Sequence, residues 1–422
     1  MKYDFTSIMD RRGHDALAVD AIGNPGGFAP GAPAEGFDVI PMWVADMNFP
    51  TAPSITQAVA ERLKHPAFGY FSPRKEYFDS IIRWHCHRHG EEAVKDLVPE
   101  CIGYENGVLG GVVSALNVFC SRGDNVLVHT PTYIGFTNTL RNNGYRIVHS
   151  PLLYEETVPG KGNWRMDFDD MEQKIRDHHI HAAIFCSPHN PCGRVWDREE
   201  LERAFAIFEK YDVKVISDEI WSDLILEGYR HIPAQSVSSY AHENTVALYA
   251  PSKTFNLAGL VGSYHIIYNR TLRERVRKES SLCHYNEMNV LSMHALIGAY
   301  TPEGEVWLDE LRQVLTGNVR YAADFIRSHF EGVTLAEPEG TYMLFPDCTG
   351  WCTEHGKTLQ ELEDLCWNCG TALQDGKMFN GSCHLRINLA LPLSRVQEAM
   401  DRLDRYVFNR SPFRCEISAQ RL

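Results

Sequence analysis

The sequence lacks long apolar runs and basic clusters. No stretch approaches the ~20 consecutive apolar residues that a membrane-spanning helix needs. The formal net charge is −14, and no basic patch interleaved with aromatic residues is present, which argues against nucleic acids and anionic membranes as partners. The first twenty residues carry charges throughout and lack the apolar core of a secretion signal. We therefore expect a cytoplasmic protein.

Internal repeats and a complete metal-binding motif are also missing. Twelve cysteines are scattered over 422 residues, and without a secretion signal they are expected to be reduced. Cys366 and Cys369 have the CxxC spacing, but no second CxxC or nearby histidine pair completes a zinc site. Three histidines at spacings of two, within 85–89, do not share one helix face. We interpret them as a solvated helix end before Gly90 and expect no metal centre.

The composition is that of a soluble globular protein, with 44% hydrophobic and 23% charged residues. The length indicates one large domain and a smaller one. From about residue 100, short apolar runs alternate with amphipathic stretches, a pattern typical of a mostly parallel sheet between helices. We expect an α/β fold with a large domain (51–288), a small α+β domain (289–422) and an amino-terminal segment (1–50) that packs with the small domain.

Four apolar runs are interpreted as buried strands, and a helix with Asp197 as its N-cap is expected at 197–211, between the second and third. A long amphipathic helical region is expected after residue 290. The four strand runs lie at 124–133, 182–191, 213–220 and 244–253.

Each of these four runs ends in a polar or aromatic residue: Tyr133, Asn190, Asp218 and Lys253. Ligands of open α/β sheets bind beyond the carboxyl ends of the strands, so these side chains are expected to converge. Their combination suits pyridoxal 5'-phosphate (PLP). Its aldehyde condenses with a lysine amine, its ring nitrogen needs a carboxylate partner, its ring oxygen accepts from an amide, and its face stacks on an aromatic ring.

The phosphate of PLP needs backbone N–H groups at a helix N-terminus. Residues 105–119 supply them, because a glycine-rich turn through Gly107, Gly110 and Gly111 precedes a helix-like apolar run. Each residue taken singly also has an ordinary structural interpretation, such as a surface turn for Lys253 or a helix cap for Asp218. The combination is far more specific than its members.

The motifs resemble those of fold type I PLP enzymes of the class I/II aminotransferase superfamily. More narrowly, they resemble the MalY/PatB group of cystathionine β-lyase-like C–S lyases. The resemblance covers nearly the whole chain. Its segments are DRRG (10–13), PMWVADMNF (41–49), FGYF (68–71), HTPTY (129–133), SPHNPCGRVW (187–196), ISDEIWSDLIL (216–226), YRHIP (229–233), APSKTFNLAGL (250–260), PEGTY (338–342) and LRINLALP (385–392).

The resemblance implies a role for each residue at the strand ends. Lys253 forms the Schiff base with PLP and later moves the Cα proton of the substrate. Asp218 pairs with the pyridine nitrogen, Asn190 holds the ring oxygen, and Tyr133 stacks on the ring.

The resemblance also implies contacts at the two ends of the site. Backbone N–H groups of Val108 and Leu109 cradle the phosphate, with the Ser252 hydroxyl in addition. Tyr70 reaches the phosphate of the neighbouring subunit, which implies a homodimer. Arg386 clamps the substrate carboxylate, a planar group that suits a guanidinium.

Three departures from the family pattern leave the substrate open. No arginine follows Lys253 closely, whereas typical aminotransferases use one for the phosphate; the C–S lyase group also lacks it. Trp221 stands where aspartate-type aminotransferases have tyrosine and the lyase group usually has histidine. Phe345 and Pro346 change the segment that follows Tyr342.

The resemblance implies a β-elimination that converts cystathionine or related S-substituted cysteines to pyruvate, ammonia and a thiol. The alternative is an aminotransferase, which needs the same residues and a second, 2-oxo acid substrate. A ligand-sensing regulator of the same fold is disfavoured, because such proteins carry an N-terminal DNA-binding domain, whereas the first fifty residues here are not basic and contain no helix-turn-helix pattern.

Overall fold

The computed structural model describes residues 1–24, 28–158, 161–283 and 286–409. Its strands are β1 Ile40–Pro41, β2 Ile102–Glu105, β3 Asn125–Thr130, β4 Arg146–Val158, β5 Lys161–Met166, β6 Ala182–Cys186, β7 Lys214–Asp218, β8 Thr245–Tyr249, β9 Ser263–Ile266, β10 Met343–Leu344, β11 Thr371–Ala372, β12 Gln374–Asp375 and β13 Leu385–Asn388.

The α-helices of the same residues are α1 Leu17–Asp20, α2 Pro53–Leu63, α3 Lys75–His89, α4 Gly107–Phe119, α5 Ile134–Asn142, α6 Phe168–Asp177, α7 Arg198–Lys210, α8 Ser239–Asn244, α9 Pro251–Thr254, α10 Arg270–Cys283, α11 Val290–Ala299, α12 Pro302–His329, α13 Thr349–His355, α14 Leu359–Asn368 and α15 Leu393–Leu403. None of them, including the 28-residue α12, combines the length and apolarity needed to cross a membrane.

An eight-stranded sheet forms the centre of the molecule, in the order β2-β9-β8-β7-β6-β3-β4-β5. The strands from β8 to β4 are parallel to their neighbours, and β2, β9 and β5 pair antiparallel at the edges. β6 and β8 are buried along their whole length, because apolar clusters and helices cover both faces of the sheet. The predicted α/β fold is confirmed.

The four predicted strands are confirmed as β3, β6, β7 and β8, which lie side by side in the sheet. Each is shorter than its apolar run, because the last residues of every run leave the sheet as a turn or helix. All four are parallel, so their carboxyl ends meet at one edge. This edge carries the polar residues that the sequence places after each strand.

The helix predicted at 197–211 is α7, and its cap is a capping box. The Asp197 carboxylate accepts from the Glu200 N–H at 2.9 Å, and the Glu200 carboxylate accepts from the Asp197 N–H at 3.1 Å. The backbone N–H groups of Asp197 and Glu200, which have no partner within the helix, are thereby hydrogen-bonded. The apolar face of α7 packs on β6 and β7 and fixes the strands that carry Asn190 and Asp218.

The carboxyl-terminal part has its own apolar cluster, built from the second half of α12, α13 to α15 and β13. Ile40 and Met42 belong to this cluster, and β1 pairs parallel with β11. The amino-terminal segment thereby reaches the carboxyl-terminal elements. The domain limits at residues 50 and 288 stay a prediction.

The interpretation of residues 85–89 as a solvated helix end is wrong in one respect. Helix α3 does end at His89 before Gly90, whose φ is 88°. His85 and His89, however, lie on one face of the helix because they are four residues apart. Both are buried, and of the three histidines only His87 is exposed. Burial lowers the pKa of His85 to about 3. Within the described residues, no group of three or more His, Cys, Asp or Glu could hold a metal ion.

The described cysteines are all free thiols. Cys366 and Cys369, the CxxC pair, lie buried at the carboxyl end of α14. Burial raises the pKa of both thiols. Both side chains pack in the apolar cluster of the carboxyl-terminal part.

Candidate active site

Lys253 lies in α9, the short helix that begins two residues after β8. Its Nζ donates to the Ala45 carbonyl at 2.7 Å and lies 5.8 Å from the centre of the Trp221 ring. Burial, with the nearby charge of Arg386, lowers the pKa of Lys253 to about 8. The amine is therefore available as a nucleophile or base near neutral pH.

Asp218 is the last residue of β7 and lies beside β8 in the sheet. It is buried, and its Oδ1 accepts from the Ile220 N–H at 3.0 Å. Burial raises the pKa of this carboxyl to about 7. A cationic partner facing it, such as a protonated ring nitrogen, would favour the ionised form.

Asn190 follows β6 and is 3% exposed. Its Oδ1 is buried and has no hydrogen-bond partner among the described residues. Oδ1 is an acceptor, whereas the side-chain N–H groups of the same amide are the donors that the oxygen of a ligand would use. Asn190 lines one cavity together with Asp218 and Lys253, and a ligand of the amide would lie in that cavity.

Tyr133 is the N-cap residue of α5. A Cβ at Gly135 would overlap the Tyr133 ring, so the glycine is what lets the ring lie over the helix start. The ring packs edge-on against Phe136, with centroids 5.4 Å apart. This packing holds an aromatic surface at the cavity wall.

Helix α4 begins at Gly107, whose φ is 74°. The N–H groups of its first turn have no partner within the helix, and Val108 and Leu109 line the same cavity. A Cβ at Gly111 would come within 2.5 Å of Leu248 in β8, so a glycine is required for the helix to pack this closely. The helix N-terminus therefore provides an anion site at one end of the cavity.

These elements enclose one cavity of about 310 Å³, with Ser252 next to Lys253 in its wall. An amine, a carboxylate, an amide, an aromatic ring and an anion-binding helix end surround a single space, so the residues present fit PLP. No arginine is among the described residues that line it. Backbone N–H groups at the start of α4 and the Ser252 hydroxyl are the groups of this lining that would hold the phosphate.

A second cavity of about 380 Å³ adjoins the first and shares Ala45, Tyr133 and Lys253 with it. Arg386, on β13, lines this second space and is buried. Its Nη2 donates to the Trp43 carbonyl at 2.6 Å and to Gln374 Oε1 at 3.0 Å. Its Nε is buried without a partner in the described structure.

Burial lowers the pKa of Arg386 to about 10, well above neutral, so it stays charged. The Phe379 ring covers one side of the guanidinium, with its centre 4.3 Å from Cζ. A charged, partly unsatisfied guanidinium beside the amine suits a carboxylate.

The comparisons with known proteins agree with this geometry. The family model "Aminotransferase class I and II" matches residues 38–403. The chain belongs to this family. It is 34% identical over 369 residues to cystathionine beta-lyase PatB of Bacillus subtilis, covering 87% of this chain and 92% of the relative. It is 29% identical to protein MalY of Escherichia coli, over 94% and 97% of the two chains.

Among solved structures, cystalysin of Treponema denticola, described as containing a pyridoxal 5'-phosphate cofactor, superposes with a TM-score of 0.86. The identity is 31%, and the match covers 96% of this chain and 98% of cystalysin. The predicted class I/II aminotransferase superfamily, its MalY/PatB group and fold type I are confirmed. The roles of the individual site residues stay predictions.

The departures from the family pattern have different consequences in the structure. Trp221 is buried, lines the first cavity and packs edge-on against Tyr342 at 4.8 Å between ring centres. Phe345 and Pro346 line neither cavity. Phe345 instead stacks on His384 at 4.6 Å. Trp221 is therefore the departure that touches the site.

Tyr70 is the one predicted site residue that the single chain does not bring to the cavity. It is fully exposed and lines neither of the two spaces. Lys253, Asp218, Asn190, Tyr133, Val108, Leu109 and Ser252 all line the first cavity, and Arg386 lines the second.

Four contacts of this aminotransferase-family site escaped the sequence reasoning. The carbonyls of Trp43 and Ala45 accept from Arg386 and Lys253, and the side chains of Gln374 and Phe379 contact Arg386. The WVADM motif was a signal for the first two, since it lies in a quoted family segment. A sequence pattern describes side chains, so it does not predict which backbone carbonyl accepts a hydrogen bond.

Proposed function

We propose that this chain is a PLP-dependent carbon–sulfur β-lyase that cleaves cystathionine or related S-substituted cysteines to pyruvate, ammonia and a thiol. The observation that carries the proposal is the position of Lys253, a buried amine in the shared wall of two cavities. One cavity fits PLP and the other presents Arg386. The predicted cofactor and reaction agree with the names of the relatives, PatB and cystalysin among them.

PLP, when bound, supplies a cationic ring that withdraws electrons from the substrate Cα. The Nζ of Lys253 would hold the cofactor, and the same amine, once free, would remove the Cα proton of the substrate. The lowered pKa of Lys253 keeps a useful fraction of this amine neutral near pH 8. Arg386 orients the substrate by its carboxylate, so that the Cα proton faces Nζ.

The remaining site residues hold the cofactor in place. The Asp218 carboxylate keeps a proton on the ring nitrogen, Asn190 binds the ring oxygen, and Tyr133 covers the ring face. The N–H groups of Val108 and Leu109 bind the phosphate, and the hydroxyl of Ser252, next in the chain to Lys253, does so too.

The enzyme is proposed to act as a homodimer in which Tyr70 reaches the partner's phosphate. Residues 63–76 are exposed throughout and include the apolar side chains of Leu63, Phe68 and Phe71. An apolar patch of this kind is typical of an interaction surface. A cytoplasmic location is proposed as well, because free thiols suit a reducing compartment.

The test is incubation of the PLP-loaded enzyme with cystathionine and no 2-oxo acid. A β-lyase releases pyruvate and thiol over many turnovers. An aminotransferase, which uses the same residues, stops after one turnover and resumes when a 2-oxo acid is added. That second result would replace the proposal by the alternative.

A further inference from the structure

The second cavity lies beside both Lys253 and Arg386, where the substituent on the substrate sulfur would extend. It extends from Lys253 past Arg386 toward the surface, and its walls combine residues from the amino-terminal segment, α5 and the loop before β13. The described lining residues are Leu17, Phe28, Trp43, Val44, Ala45, Tyr133, Ile134, Gly135, Asn138, Lys253, Gln374, Met378, Phe379 and Arg386.

The charged side chains in this wall already have roles in the proposed reaction. Its charged side chains, within the described structure, are Lys253 and Arg386. The first carries PLP and the second binds the α-carboxylate. The amide of Gln374 is engaged by Arg386 through Oε1. No carboxylate of the described lining is available for an ammonium, and no second cation for a second carboxylate.

The outer wall is apolar and partly open to solvent. Leu17, Phe28 and Met378 are 51%, 61% and 42% exposed, although all three line the cavity. Phe28 packs edge-on against Trp43, with ring centres 5.3 Å apart. Apolar side chains that border a cavity and remain exposed indicate a surface that an apolar group covers.

We infer that the preferred substrates are cysteine S-conjugates with an uncharged, apolar S-substituent, an alkyl or aryl group, in preference to cystathionine. This inference rests on the proposed β-elimination. The far end of cystathionine carries an ammonium and a carboxylate, which would lose water here, and the described lining offers them the Asn138 amide but no further opposite charge. An alkyl or aryl group instead buries apolar surface against Ile134, Met378 and Phe379.

The experiment compares S-methyl-, S-ethyl-, S-propyl- and S-butyl-L-cysteine with L-cystathionine, following pyruvate release by the PLP-loaded enzyme in its native assembly. The alkyl thiolates are similar leaving groups, so a trend along the series reports binding of the substituent. We expect kcat/KM to rise about two- to fourfold with each methylene. S-butyl-cysteine should exceed cystathionine by about tenfold or more.

Two results overturn the inference while leaving the lyase intact: a flat series, or a kcat/KM for cystathionine equal to or above that for S-butyl-cysteine. Absence of pyruvate from every substrate overturns the proposed function itself. The two failures are therefore distinguishable.

A matched pair of variants tests the wall directly. Met378→Glu places a carboxylate at the cavity rim, and Met378→Gln places a neutral group of the same shape there. The measured quantity is kcat/KM for S-butyl-cysteine divided by kcat/KM for cystathionine. This ratio should be about tenfold smaller in Met378→Glu than in Met378→Gln, because the new carboxylate supplies a partner for the distal ammonium of cystathionine. The absorbance of bound PLP shows whether both variants retain the cofactor. If they do and their ratios are equal, the apolar wall does not determine the substrate preference.

Discussion

At the scale of single residues, the site shifts the pKa values of two ionisable groups toward their uncharged forms. Burial lowers the pKa of Lys253 and raises that of Asp218, so both shifts oppose charge. The proposed pairing of Asp218 with a protonated ring nitrogen of PLP would reverse this shift for the carboxyl. The cofactor therefore completes a site whose own electrostatics are unfavourable without it.

Replacing Lys253 by alanine should remove the covalent link to PLP. We expect kcat to fall about 10²- to 10⁴-fold, because the same amine is the base at Cα. Borohydride reduction followed by mass analysis should label the parent enzyme and leave Lys253→Ala unlabelled. Lys64→Ala, at an exposed lysine paired with Glu61, is the control. Labelling of the Lys253→Ala protein would place the link elsewhere.

The raised pKa of Asp218 predicts how the stability of the PLP-free protein depends on pH. The folded carboxyl keeps its proton up to about pH 7, whereas the unfolded one loses it near its ordinary value. The contribution of Asp218 to the free energy of unfolding is therefore fully present below that ordinary pKa. It is lost as the pH rises to about 7, by up to about 4 kcal/mol.

Urea denaturation of the PLP-free parent and of Asp218→Asn at pH 4 to 7 tests this. The stability of Asp218→Asn relative to the parent should increase with pH over that window. Loading the parent with PLP should remove the decline, because the ring nitrogen stabilises the ionised form. A constant difference between the two proteins would show that Asp218 titrates normally.

Arg386→Lys should impair binding of the substrate carboxylate while leaving PLP in place. Lysine offers a point charge where the guanidinium offers two parallel donors, and it abandons the contacts with Trp43 and Gln374. We expect kcat/KM to fall about 10- to 100-fold, as for the loss of one charge-assisted hydrogen bond. Arg402→Lys, at an arginine paired with Asp38 and Glu398, should behave like the parent. Similar losses in both variants would indicate a general effect of arginine replacement.

At the scale of elements, the segment around Ala45 is positioned from two sides. The Asn388 amide donates to the carbonyls of the residues flanking Ala45, at 2.6 and 2.7 Å. Asn256, three residues after Lys253, exchanges hydrogen bonds with the backbone of Met47 at 2.9 and 3.0 Å. The segment that receives the lysine Nζ is therefore tied both to β13 and to the turn that carries the lysine.

Helix α4 provides a test of how closely an element must pack for the phosphate site to form. Gly111→Ala would place a methyl group against Leu248, and overpacking of this kind costs about 1–3 kcal/mol. Because the helix start is displaced from β8, the PLP dissociation constant should also rise. Gly110→Ala is the matched control, since its Cβ would meet only Asn106 of the preceding turn, at 3.6 Å.

Thermal denaturation and equilibrium dialysis of PLP measure the two effects. Gly110→Ala should keep the parent's affinity and gain a little stability from helix propensity. Equal PLP affinity in Gly111→Ala and Gly110→Ala would contradict the role of close packing.

The inner strands were predictable because their apolar runs are continuous and end in polar residues. The antiparallel strands β2, β9 and β5 were not, since antiparallel strands lack the continuous apolar runs of buried parallel strands. The histidines of α3 were misread because the spacing of neighbours was considered and the four-residue spacing of His85 and His89 was not. The side chains of the site could be named from motifs, but the carbonyl at Ala45 and the unsatisfied Nε of Arg386 exist only in the folded chain.

At the scale of the whole molecule, the site joins parts that are distant in sequence. The central sheet supplies the PLP cavity, the carboxyl-terminal part supplies Arg386, and the amino-terminal segment supplies Trp43 and Ala45. The described lining at the proposed phosphate end contains no arginine. Exposed Tyr70 is the residue predicted to make that contribution from a second subunit.

Subunit mixing tests the predicted exchange of Tyr70. Tyr70→Ala should weaken PLP binding and lower activity, and Lys253→Ala should abolish activity. In a mixed dimer, the site on the Tyr70→Ala subunit has an intact Lys253 and receives Tyr70 from its partner. Equal amounts of the two variants are denatured together and refolded, so that subunits pair at random and about half of the dimers are mixed. Each mixed dimer has one intact site out of two, so about a quarter of the parent activity should return.

The measurement is pyruvate release at limiting PLP, with each variant refolded alone as control. If Tyr70 served its own subunit, the mixture would show only the average of the two variants, because neither site of a mixed dimer would be repaired.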